Sequence, residues 1–78
     1  MYKWKIDISL KSGQNISGLY EGEENNSFDI GKSFLLGEAE IFVLSSLDKN
    51  AQLFIMKSEV ATMAINIFTE NIDNTETM

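Results

Sequence analysis

Between Tyr2 and Lys11 the chain alternates without interruption, with Tyr2, Trp4, Ile6, Ile8 and Leu10 set against Lys3, Lys5, Asp7, Ser9 and Lys11. Successive side chains of a strand point to opposite faces, so ten residues of period two specify a strand with one buried face. Ser12-Gly13-Gln14-Asn15 follows, small and polar with a glycine able to take positive φ, and predicts a tight hairpin turn. Ile16, Gly18 and Tyr20 continue one face of a second, antiparallel strand. A glycine inside a strand has no side chain to pack and marks a bulge, a bend or the close approach of another backbone. Gly18 is read here as the bend that lets a small sheet curl.

Glu21 to Ser27 holds three carboxylates and no apolar side chain, which predicts a solvated loop. Phe28 and Ile30 flank Asp29 as a short alternating segment, whereas Phe34 to Glu40 fits neither template. Ile41–Leu47 and Leu53–Met56 are apolar runs separated by Asp48-Lys49-Asn50-Ala51, a second hairpin. Ser58 to Phe68 supports two readings. Val60, Met63, Ala64, Ile67 and Phe68 have helical spacing behind a Ser58 cap; Met63, Ile65 and Ile67 alternate as a strand, in a stretch rich in β-branched residues. A strand preceded by a one-turn Ser58-Glu59-Val60 element is expected, since a helix would leave Ile65 facing water. The alternative is an α+β chain with a C-terminal helix at 59–72. Residues 1–68 are expected to form one small domain, and 69–78 an acidic tail that frays.

With 78 residues, 44% hydrophobic and 23% charged, the chain has room for one thin core and the composition of a globular domain. Cys, His and Pro are all absent. Disulfides, thiolate and imidazole metal ligands and His-based acid–base or nucleophilic chemistry are therefore excluded. The net charge is -6, with six Lys and no Arg. An acidic chain gains little from counterion release on nucleic acid and has no guanidinium fork for phosphate, so general DNA or RNA binding is not expected. Apolar runs of four residues are too short to span a bilayer, and Met1 to Lys5 lacks the layout of a signal peptide. A cytoplasmic, non-enzymatic protein without a cofactor or metal is the expectation.

The order of these features resembles that of the Sm-like and SH3-like small β-barrels. Ile6 to Gly22 is similar to their first strand, Gly-containing turn and Gly-bent second strand. Leu53 to Ile65 is similar to the strand, single tight turn and closing strand that complete such a barrel. The resemblance implies a mainly β, five-stranded Sm-like or SH3-like barrel whose copies close rings by strand pairing. The Lys/Asn/Ile-rich, Arg-free composition also resembles that of proteins encoded by phages of low-GC bacteria. Sm-like RNA binders carry Arg or Lys in the turn before the closing strand; here that turn is Lys57-Ser58-Glu59. Sequestering a nucleotide or RNA end between subunits is accordingly the alternative function, behind that of a protein-binding accessory or inhibitor factor.

Two groups of residues are candidate sites. Glu21, Glu23, Glu24, Asn25, Asn26 and Asp29 form the densest polar stretch. Their spacing is not that of an EF-hand, which leaves a solvated loop or a protein-partner surface. The second group follows from the runs 41–44 and 53–56, which are apolar on both faces. Phe42, Leu44, Phe54 and Met56 are assigned to an oligomer interface, although a one-residue slip in register would exchange them for Ile41, Val43, Leu53 and Ile55. A homo-oligomer is expected because so short a chain has little else to cover the second face.

Overall fold

The computed structural model describes residues 2–68. Strands β1 (Tyr2–Leu10) and β2 (Asn15–Gly22) form a hairpin, followed by helix α1 (Ser27–Leu36), strands β3 (Ile41–Ser45) and β4 (Gln52–Met56), a single 3-10 turn (Lys57–Glu59) and β5 (Val60–Ile67). All five strands belong to one antiparallel sheet in the order β4-β3-β2-β1-β5. The acidic tail expected at 69–78 lies outside the described residues. Among the described residues no helix is long and apolar enough to cross a membrane.

The first hairpin forms where the alternation ends. Gly13 takes φ 97, a left-handed value that an L side chain seldom adopts, and its N–H donates to the Leu10 carbonyl at 2.9 Å. Trp4, Ile6 and Ile8 turn into the core, each less than 5% exposed. Tyr2, expected inward, is half exposed instead, because it pairs with Gly22 at the open end of the ladder. The second hairpin is tied by its own side chains: the Ser46 hydroxyl donates to Asp48 Oδ1 at 2.6 Å, and Asp48 Oδ1 accepts from the Asn50 N–H at 3.0 Å. Those bonds hold the Asp48 carboxyl below its ordinary value, the Ser46 hydroxyl contributing most.

One expectation needs correction, the helical alternative at 59–72 gives way to the expected strand, and the barrel is not confirmed. Phe28 and Ile30 do not belong to an alternating segment; they lie in α1, which also takes in Phe34 to Leu36. Asn26 caps that helix by accepting from the Asp29 N–H at 2.9 Å, and Ile30 and Phe34, four residues apart, meet the core on one face. A helix over 59–72 is likewise absent from the described part of that range. β1 presents an open edge there, and the chain pairs with it, Ile6 opposite Ile65 and Ile8 opposite Met63. Finally, the sheet is not closed into a barrel. β4 and β5 are its two edges, with no pairing between them among the described residues.

The core therefore has two walls. β1, β3 and β4 contribute Trp4, Ile6, Ile8, Phe42, Leu44 and Ile55, and α1 contributes Ile30, which is fully buried. Phe34 extends this contact, stacking on Phe42 with ring centroids 4.8 Å apart and meeting the edge of Tyr20 at 5.2 Å.

Candidate functional site

The acidic stretch is divided among structural tasks. Glu21 belongs to β2 and faces Lys3, with 3.8 Å between Nζ and Oε2. Glu24 accepts from the Tyr20 hydroxyl at 3.1 Å and from Ser33 Oγ at 3.5 Å, while its main-chain carbonyl accepts from Trp4 Nε1 at 3.3 Å. Asn26 caps α1 and donates from Nδ2 to Asp29 and to Asn25. Asp29 lies in the first helical turn, where a carboxylate complements the helix dipole. Glu23 is exposed. Asn25, Asn26 and Asp29 are thus joined by hydrogen bonds, whereas Glu21 and Glu24 are engaged with other partners. Among the described residues no group of three or more Asp or Glu side chains is placed to hold a metal.

Burial, together with Glu24, shifts the ionisation of Tyr20. Burial pushes the phenol above its ordinary 10.0, and the hydrogen bond and negative charge of Glu24 push it the same way. A raised folded value means that the contribution of neutral Tyr20 is complete below pH 10 and is lost as pH rises through the folded value. A phenolate absorbance titration of the Tyr2→Phe protein, in which Tyr20 is the remaining tyrosine, is expected to give a higher midpoint in buffer than in urea. Coincident curves would show that Tyr20 is neither buried nor in contact with Glu24.

The apolar candidates are sorted by the register of the second hairpin. Ile41 pairs with Met56, Phe42 with Ile55, Val43 with Phe54 and Leu44 with Leu53. Phe42 and Leu44 consequently enter the core at 3% and 1% exposure, whereas Phe54 and Met56 remain outside at 67% and 59%. Their neighbours on that outer face are Ile41 and Val43, each about half exposed. The structure thus splits the predicted interface set: Phe42 and Leu44 are core, and Ile41 and Val43 join Phe54 and Met56.

A second apolar surface, on α1, was not foreseen. Phe28, Leu35 and Leu36 all stand more than half exposed on the side of the helix away from Ile30. Recognition of the helix was needed to find them, and the available signal was an Asn26 cap followed by Ile30 and Phe34 at helical spacing. Lys57, in the turn where Sm-like RNA binders carry Arg or Lys, donates from Nζ to the Gly37 carbonyl at 2.7 Å. That bond ties the end of α1 to the 3-10 turn. No family model, curated protein or solved structure matches the chain.

Proposed function

We propose that this chain is a non-enzymatic binding module that self-associates and acts on other proteins as an accessory or inhibitor factor. The observation that carries the reading is the outer face of β3 and β4, where Ile41, Val43, Phe54 and Met56 form one exposed apolar patch. Covering such side chains is worth roughly 1 kcal/mol each when about half of each is exposed, a sum comparable with much of the stability of a small domain.

The sheet edges support the same reading. Proteins blunt exposed edges with charge, proline or bulges, because an open edge is a template for another strand. β4 reads Gln-Leu-Phe-Ile-Met and β5 reads Val-Ala-Thr-Met-Ala-Ile-Asn-Ile, without a charge or a proline in either. Pairing β4 of one copy with β5 of the next would remove both edges and join the copies through a continuous sheet, as in the strand-paired rings of Sm-like proteins.

Light scattering at micromolar concentration tests this. The mass is expected to be a multiple of 8.8 kDa. Replacing the cross-strand pair Val43 and Phe54 by Lys is expected to reduce it to that of the monomer with the far-UV circular dichroism unchanged. A wild-type mass of 8.8 kDa that persists on dilution would overturn the proposal.

A further inference from the structure

A groove of about 650 Å³ runs between α1 and β5, walled by Phe28, Lys32, Leu35 and Leu36 from the helix and by Met63 and Ile65 from the strand. Phe28 and Leu36, at 72% and 76%, are the most exposed large apolar residues among those described. Lys32 lies four residues from each along α1. Its ammonium lies 5.5 Å from the centre of the Phe28 ring, and no carboxylate of the described residues pairs with it. In a chain of net charge -6, this apolar groove is therefore lined by a cation, held beside Phe28.

Gly31 adds an independent observation. Glycine is the poorest helix former after proline, so a glycine inside a ten-residue helix calls for a reason. The interior supplies none: a Cβ at Gly31 would meet only Ile65 Cδ1, at an ordinary 3.7 Å. The missing side chain instead leaves a notch in the wall of the groove, beside Lys32.

We infer that this groove docks an amphipathic α-helix of a partner protein, with a carboxylate among its apolar anchors placed to meet Lys32. From Phe28 to Leu36 the groove extends about 12 Å, or two helical turns, and it suits anchors at i, i+3 or i+4 and i+7. The notch at Gly31 permits close approach of a second helix. Docking of α1 on the α1 of another copy is disfavoured by charge, because two-fold antiparallel packing would place Lys32 against its own counterpart at the axis. The groove is shallow and open to solvent, unlike the enclosing sites that bury most of a small ligand. This inference rests on the protein-binding half of the proposed function and uses a surface separate from the β3–β4 patch.

The test employs two synthetic amphipathic helical peptides of about 18 residues with identical Leu anchors, one with Glu and one with Lys at the position facing Lys32. Fluorescence anisotropy is expected to show the Glu peptide binding at least tenfold more tightly. Lys32→Glu should invert that preference. Gly31→Leu should fill the notch and weaken binding of the Glu peptide at least tenfold with no loss of Tm. Absence of binding, equal binding of both peptides, or indifference to both substitutions would overturn the inference. A change in light-scattering mass caused by Lys32→Glu would also overturn it, since the groove would then lie between copies. If self-association alone fails, the peptide preference persists; if the groove alone fails, the oligomeric mass does.

Discussion

Gly18→Val is expected to destabilise the protein by about 3 kcal/mol or more, enough to unfold much of a domain this small. A Cβ at Gly18 would lie 2.8 Å from Leu44 Cβ, 3.0 Å from Leu44 Cδ1 and 3.0 Å from the Ser45 carbonyl oxygen. Leu44 is 1% exposed, so its side chain has nowhere to go, and Ser45 contributes main chain. The clash falls at the weakest joint of the sheet, because among the described residues Leu19 opposite Ser45 is the only pairing that joins β2 to β3. Valine would push apart the two halves that this pairing connects. A denaturation midpoint equal to wild type would show that β3 does not cross β2 at this point.

Ile30→Ala is expected to cost about 2–5 kcal/mol, the usual range for emptying a fully buried aliphatic site. Ile30 is the one α1 residue with no exposed surface, and of its neighbours on the helix only Phe34 also packs against the core. Its truncation should release the helix and uncover Trp4, Ile6 and Phe42. The expected readout is a lower denaturation midpoint accompanied by loss of helical ellipticity and binding of a hydrophobic dye. Leu35→Ala, at a half-exposed position on the same helix, serves as the control and should change stability by no more than ~0.5 kcal/mol. Equal effects from the two substitutions would mean that α1 does not dock through Ile30. The same pair also separates stability from binding, because Leu35 lines the proposed groove and Ile30 does not.

Much of the strand framework is legible in the amino-acid order because it depends on local signals. The alternation from Tyr2 to Lys11, the Gly13 turn, the Asp48–Ala51 hairpin and the one-turn element before β5 each need only neighbouring residues to be recognised. The choice of strand over helix for 60–67 was harder, since its side chains satisfy both periods. The open edge of β1 settled it. Helix α1 was obscured for a related reason. A polar stretch ahead of Phe28, and a glycine at 31, weaken every local helical signal, and what holds the helix is burial of Ile30 and Phe34 against residues distant in the chain.

The candidate site was less legible than the fold. Six polar residues close in sequence implied a surface, and the folded chain also engages three of them locally, Asn26 and Asp29 at the cap of α1 and Glu24 with Tyr20 and Trp4. From the sequence alone it followed that the runs 41–44 and 53–56 are apolar on both faces, so that one set of side chains must look outward. Which set does so was decided by tertiary structure, because the hairpin pairs odd-numbered residues of β3 with even-numbered residues of β4. A strand alternates with period two, so this register sends Phe42 and Leu44 inward and leaves Val43 and Phe54 outside, and a slip of one residue would reverse a whole strand.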